Sequence, residues 1–118
     1  MTKWIIAGGR DFDDYERLIA ACNPLIHHGD KIVSGMCPTG ADMLAVQYVG
    51  DAPLMGFTLL KRPADWKAHG KAAGPIRNQQ MAQEGDALIA FWDGKSRGTK
   101  HMIEAATRCG LEIHIYRY

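Results

Sequence analysis

The stretch Trp4-Ile5-Ile6-Ala7-Gly8-Gly9-Arg10-Asp11-Phe12 decides the fold. Its apolar run forms a short buried strand, which stops at two glycines and meets an arginine and an aspartate at once. Glycine carries no Cβ, so the backbone can turn sharply there and come close to a guest. From Asp13 or Asp14 to Ala21 the sequence reads as a helix with an acidic cap. A strand, a glycine turn and a helix start make an anion site in many α/β folds, because free N–H groups of the first helical turn face the gap. A plain tight βα turn needs the same two glycines, so the rest of the chain has to separate the two readings.

Working outward, Lys31-Ile32-Val33-Ser34-Gly35 is a second short strand that again ends on small residues. Pro38-Thr39-Gly40-Ala41-Asp42 leads into a helix with Leu44 and Tyr48 at i,i+4. Leu54 to Leu60 forms a third strand, and Lys61 to Gly74 a loop with at most one helical turn. Pro75 suits the first position of a helix running to about Glu84. Ala87 to Phe91 is the clearest buried strand, and Trp92 to Gly98 is a polar glycine loop. Thr99 to Cys109 is a helix with Met102, Ile103, Ala106 and Cys109 on one stripe, closed by Gly110. Leu111 to Tyr116 alternates as the last strand.

Five strands alternating with four helices, without linker or repeat, predict one Rossmann-like α/β domain over residues 1–118. It has three layers: a parallel sheet of about five strands with helices on both faces. Right-handed crossovers place the guest outside the carboxyl ends of the strands. Gly8 to Asp11, Ser34 to Asp42, Arg62 to Trp66 and Trp92 to Thr99 each follow a strand, so all four clusters meet at that edge.

A chain of 118 residues with 47% hydrophobic content and a net charge of +1 holds one core and no bulk basic surface. Nucleic acid is therefore not the expected partner, and any anion binding has to be local. Three cysteines without a CxxC pair read as reduced thiols, and no apolar run reaches the roughly 20 residues that span a bilayer. With no leader pattern, the expectation is a cytoplasmic protein without membrane contact. His27, His28, His69, His101 and His114 show no metal-ligand spacing, so neither a metal nor a cofactor is expected, and a structural or solvent role is the reading for each.

A dinucleotide oxidoreductase would need G-x-G-x-x-G after the first strand and an acid at the end of the second. The turn here is Gly8-Gly9-Arg10, and Asp30 stands at the wrong end of its strand; no GxxxxGK[ST] is present either. Gly8, Gly9, Arg10, Gly98 and Thr99 are instead suited to cradle phosphate, and Arg77 and Asn78 to pair with phosphate or ribose. Trp66 and Trp92 offer faces for a base, Trp92 being equally suited to core packing. Asp11 and Asp42 are the candidates for catalysis, since a carboxylate beside ribose stabilises oxocarbenium charge. Both fit equally well as helix-start residues that cap or favour the dipole.

The runs Gly8-Gly9-Arg10-Asp11-Phe12, Ser34-Gly35 with Gly40-Ala41-Asp42, Ala64-Asp65-Trp66, Gly70 to Asn78, and Gly98-Thr99 together resemble the YspA-type branch of the SLOG (Smf/DprA–LOG) superfamily. The likeness covers nearly the whole chain, and Gly70 to Asn78 is its most specific part. It implies a Rossmann-like domain that binds a nucleotide or nucleotide-derived small molecule such as an ADP-ribose derivative. It also implies association into a homo-oligomer through helices. The implied ligand set adds Phe12, Ser34, Gly35, Gly40 and Asp65 to the residues above. Some relatives cleave an N-glycosidic bond, and others sense signalling nucleotides or bind DNA. The phosphoribohydrolase branch is similar at Arg77-Asn78-Gln79-Gln80-Met81 and at Gly98-Thr99. Its acid, three residues after the threonine, is replaced here by Met102. Glu104, about 180° further around the helix, does not substitute.

Overall fold

In the computed structural model, which describes residues 1–118, five strands form one all-parallel sheet in the order β3-β2-β1-β4-β5. The strands are β1 (Lys3–Gly8), β2 (Lys31–Ser34), β3 (Thr58–Lys61), β4 (Ala87–Trp92) and β5 (Glu112–Arg117). The helices are α1 (Tyr15–Cys22), α2 (Ala41–Asp51), α3 (Trp66–His69), α4 (Ala73–Glu84) and α5 (Arg97–Arg108). β1 and β4 sit in the middle, where both faces are covered; this is why each reads as an almost unbroken apolar run.

Side chains along a strand point alternately to the two faces, so these runs feed two cores. Trp4, Ile6, Ile32, Ile89 and Phe91 face α1 and α2, meeting Leu18, Cys22, Ala45 and Tyr48. Ile5, Ala7, Val33, Leu88 and Ala90 face α4 and α5, meeting Met81, Ala82, Met102 and Ala105. The register that pairs Ile5 with both Val33 and Leu88 holds each set on its own side. From β1 the chain winds outward through β2 and β3, then crosses back to β4 and β5. The strand order therefore reverses between β1 and β4, and ligands collect at the carboxyl ends of such a junction.

Several boundaries differ from the sequence reading. Leu54 does not belong to a strand: Pro53–Met55 is a 3-10 turn, Gly56 takes φ +66°, and Leu54 is 92% exposed. Proline at the first position and a left-handed glycine after the third residue favour a tight turn over an extended chain. The segment before α4 holds the expected helical turn as α3, and a 3-10 turn, Gly70–Ala72, follows it. Helix α4 starts at Ala73, which makes Pro75 its third residue, still within the turn whose N–H groups need no helical partner. Helix α5 starts at Arg97, two residues before Thr99, because the Ser96 hydroxyl accepts from the Thr99 N–H at 3.4 Å. No helix is long and apolar enough to cross a membrane.

Candidate functional site

A single large cleft of about 1180 Å³ opens at the carboxyl ends of β1, β2 and β4. Gly8 at the end of β1 and Arg10 just after it, Gly35 to Thr39 after β2, and Pro63, Ala64 and Trp66 after β3 supply part of the wall. The amino-terminal halves of α4 and α5 complete it with Arg77, Asn78 and Ser96 to Thr99, over a floor that includes Ala7, Met81 and Met102. Three guanidinium groups (Arg10, Arg77 and Arg97) and one carboxylate, Asp42, line the cleft, so it is locally positive in a nearly neutral chain. Arg10 and Arg97 make no hydrogen bond within the protein, and neither do the backbone N–H groups of Arg97 and Gly98. These are the donors a helix N-terminus presents to an anion.

Arg77 is held firmly. Its Nη1 donates to the Gly35 carbonyl at 2.6 Å and its Nε to Asn78 Oδ1 at 3.0 Å, leaving Nη2 without a protein partner. Asn78 Nδ2 in turn donates to the Gly98 carbonyl at 3.3 Å and lies 3.3 Å from His101 Nδ1. This chain of contacts ties the β2 loop to the starts of α4 and α5. Gly35 leaves room for this contact: a Cβ would stand 2.5 Å from Arg77 Nη1 and 2.9 Å from Asp42 Oδ2, so these side chains would have to shift.

Asp42, in the first turn of α2, is only 8% exposed. Its Oδ2 accepts from the Cys37 N–H at 3.0 Å, and its Oδ1 has no protein donor. Burial raises its pKa above the ordinary carboxylate value; the Cys37 N–H and the charges of Arg77 and Arg10 act the other way without cancelling this. The loop that delivers Cys37 is strained, since Met36 is the one non-glycine residue at positive φ, +61°. Such a conformation costs on the order of 1 kcal/mol and persists where neighbours enforce it. Ser34 does so, accepting from the Met36 N–H at 3.1 Å while donating to the Asp42 carbonyl at 3.0 Å.

Of the residues proposed from the sequence, the cleft brings together Gly8, Arg10, Gly35, Asp42, Trp66, Arg77, Asn78, Gly98 and Thr99. Arg10, Arg77 and Thr99, far apart in the chain, share one hollow. The others lie outside its lining, each for a visible reason. Asp11 Oδ1 accepts from the Tyr118 hydroxyl at 2.6 Å, which takes this catalytic candidate away from the cleft. Gly9 is buried beneath the same tyrosine, whose hydroxyl a Cβ would overlap. Phe12 is a core ring stacked on Phe91 at 4.5 Å. Ser34 braces the β2 loop, and Gly40 (φ +76°) lets α2 begin against the backbone of Gly9 and Arg10. Asp65 caps α3 by accepting from the Ala68 N–H at 3.1 Å. Trp92 donates from Nε1 to the Ser96 carbonyl at 3.1 Å and lies under the Arg117 guanidinium, so it stabilises the β4–α5 loop. Glu104 is exposed and outside the cleft, whereas Met102 forms part of its floor.

Sequence reasoning placed Cys37, Ser96 and Arg97 at this edge without giving them a role, and missed His101 as a lining residue. Ser96 had a signal: a serine just before an amphipathic helical stretch is an N-cap pattern. His101 had none, because its partner Asn78 is 23 residues away.

The chain is 32% identical over 119 residues to the Gene 61 protein of Mycobacterium phage D29, an alignment spanning 96% of this chain and 94% of that protein. No family model matches the chain. No solved structure matches it.

Proposed function

We propose that this chain, which belongs to the same family as the phage D29 Gene 61 protein, binds a phosphate-bearing, nucleotide-derived small molecule as a sensor, carrier or sequestering module. The observation that carries this reading is the convergence of Arg10, Arg77 and Arg97 with the unpaired N–H groups of Arg97 and Gly98 around one cleft. Guanidinium groups and helix-start amides are the donors that phosphate oxygens accept from. Trp66, 54% exposed at the rim, offers a face to a base, and Asp42 Oδ1, which has no protein donor, is free to accept from a ribose hydroxyl. The resemblance to the YspA-type SLOG branch points the same way and adds association of copies through helices. The test is mass spectrometry of small molecules that co-purify with the protein, together with incubation against a nucleotide panel. Recovery of an intact phosphorylated ligand supports the reading; a panel without any bound species contradicts it.

A second reading, hydrolysis of the N-glycosidic bond of such a ligand, is favoured by one observation: a buried carboxylate of raised pKa inside the cleft. In that reaction water adds to the anomeric carbon, the C–N bond breaks, and the base leaves with the electron pair and a proton. Asp42 would stabilise the oxocarbenium charge as it develops. Free base and ribose phosphate in the same incubation distinguish the enzyme from the binder. DNA binding has no comparable support in a chain of net charge +1.

A further inference from the structure

We infer that His101 is a ligand-contacting residue of the cleft, donating from Nε2–H to an anionic oxygen of the bound group, in a tautomer that Asn78 fixes. The inference rests on the anion-binding reading above and assigns a residue that the reading does not use. Asn78 is only 5% exposed, and its amide orientation is set from two sides. Oδ1 accepts from Arg77 Nε at 3.0 Å and Nδ2 donates to the Gly98 carbonyl at 3.3 Å. Flipping the amide would set an oxygen against a carbonyl and an NH2 against an N–H, so the nitrogen is the atom that faces His101. Nδ2 carries only donors, and it lies 3.3 Å from His101 Nδ1, which therefore accepts. A neutral imidazole that accepts at one nitrogen carries its proton on the other. Nε2 has no acceptor in the protein, and His101 lines the cleft one turn beyond Arg97 and Gly98. The result is one neutral, pre-oriented donor beside two free backbone donors, suited to an oxygen that only accepts. A phosphate ester fits, and an ammonium group, which can only donate, does not.

The two nitrogens can be tested separately. Asn at 101 preserves an acceptor near the Nδ1 position and removes the distal donor; Gln reaches the Nε2 position with an N–H. With AMP and ADP-ribose as probes, calorimetric titration of H101N is expected to show an affinity about tenfold or more below wild type, the size of a hydrogen bond to a charged group. H101Q is expected to stay within about threefold, and both variants should melt near wild type. In 15N-labelled wild-type protein at pH 8, the His101 proton should sit on Nε2 before ligand is added, and that resonance should move on adding AMP. A proton on Nδ1, equal losses in H101N and H101Q, or unchanged binding in H101N overturns the inference while leaving the cleft reading intact. A wild type that binds neither probe overturns both.

Discussion

Asp30 and Asp42 are both buried aspartates, and they stand at opposite ends of the sheet. Asp30, at the amino end of β2, is 3% exposed and fully employed: it accepts from the Thr2 N–H at 3.1 Å, Trp4 Nε1 at 3.0 Å and the His27 N–H at 2.9 Å. Burial pushes its pKa up, but the His27 and Thr2 N–H groups and the Trp4 indole together outweigh this and leave it lowered. Asp42, at the carboxyl edge, has one donor and two arginines that make no ion pair with it, and burial wins. The amino end uses its carboxylate to knit β1 to the loop before β2. The carboxyl end keeps its carboxylate, arginines and amides short of partners, at a cost in stability. A site that leaves charged groups underused in the free protein has capacity for a ligand.

The largest effect that would sharpen this contrast is Asp30→Ala. Three donors lose a charged acceptor, one of them the buried Trp4 indole, and guanidinium denaturation should show a loss of about 3 kcal/mol with an unchanged slope. AMP affinity of the folded variant should stay near wild type. Arg77→Ala should do the reverse: affinity for AMP falls roughly thirtyfold, about 2 kcal/mol, with a smaller change in the denaturation midpoint. Trp66→Ala should cost about 1 kcal/mol of binding to a base-bearing ligand and leave inorganic phosphate binding unchanged, since the indole is exposed and outside the core.

The smallest effect concerns pH. The Asp30 pKa lies below its ordinary value of 3.8 in the folded state, so its stabilisation is present above the unfolded value and is lost as pH falls through the lower folded one. The Asp42 pKa is shifted in the opposite direction, so the unfolded chain releases that proton first, and stability is lost as pH rises through the raised folded value. Asp42→Asn should therefore match wild type near pH 3 and be more stable at pH 7, by up to about 1 kcal/mol. Equal behaviour of Asp30→Asn and Asp42→Asn across this range would dissolve the comparison.

The sheet was legible because β1 and β4 carry apolar runs that only a doubly covered parallel strand uses, and because a glycine follows β1 and β2. β3 was misjudged, as Leu54 looks apolar enough for a strand and yet sits on a turn that Pro53 and Gly56 impose. In the site, Arg10, Arg77, Gly98 and Thr99 were readable because each follows a strand or opens a helix, where topology dictates location. Asp11 and Gly9 occupy equally suggestive positions, but Tyr118, 107 residues from Asp11, covers them, and no local pattern announces a long-range contact of that kind. Trp66 and Trp92 could not be separated by sequence either. The difference is made by Arg117 and the Ser96 carbonyl, which engage Trp92 and leave Trp66 exposed at the cleft.

The most direct test of the central claim is an AMP titration followed by 1H–15N spectra of the backbone amides. Saturable shifts concentrated at Arg97, Gly98 and Cys37, with Thr2 and His27 at the Asp30 end unmoved, are the predicted result. Spectra that do not change on adding AMP, or shifts gathered at the amino end of the sheet, would contradict it.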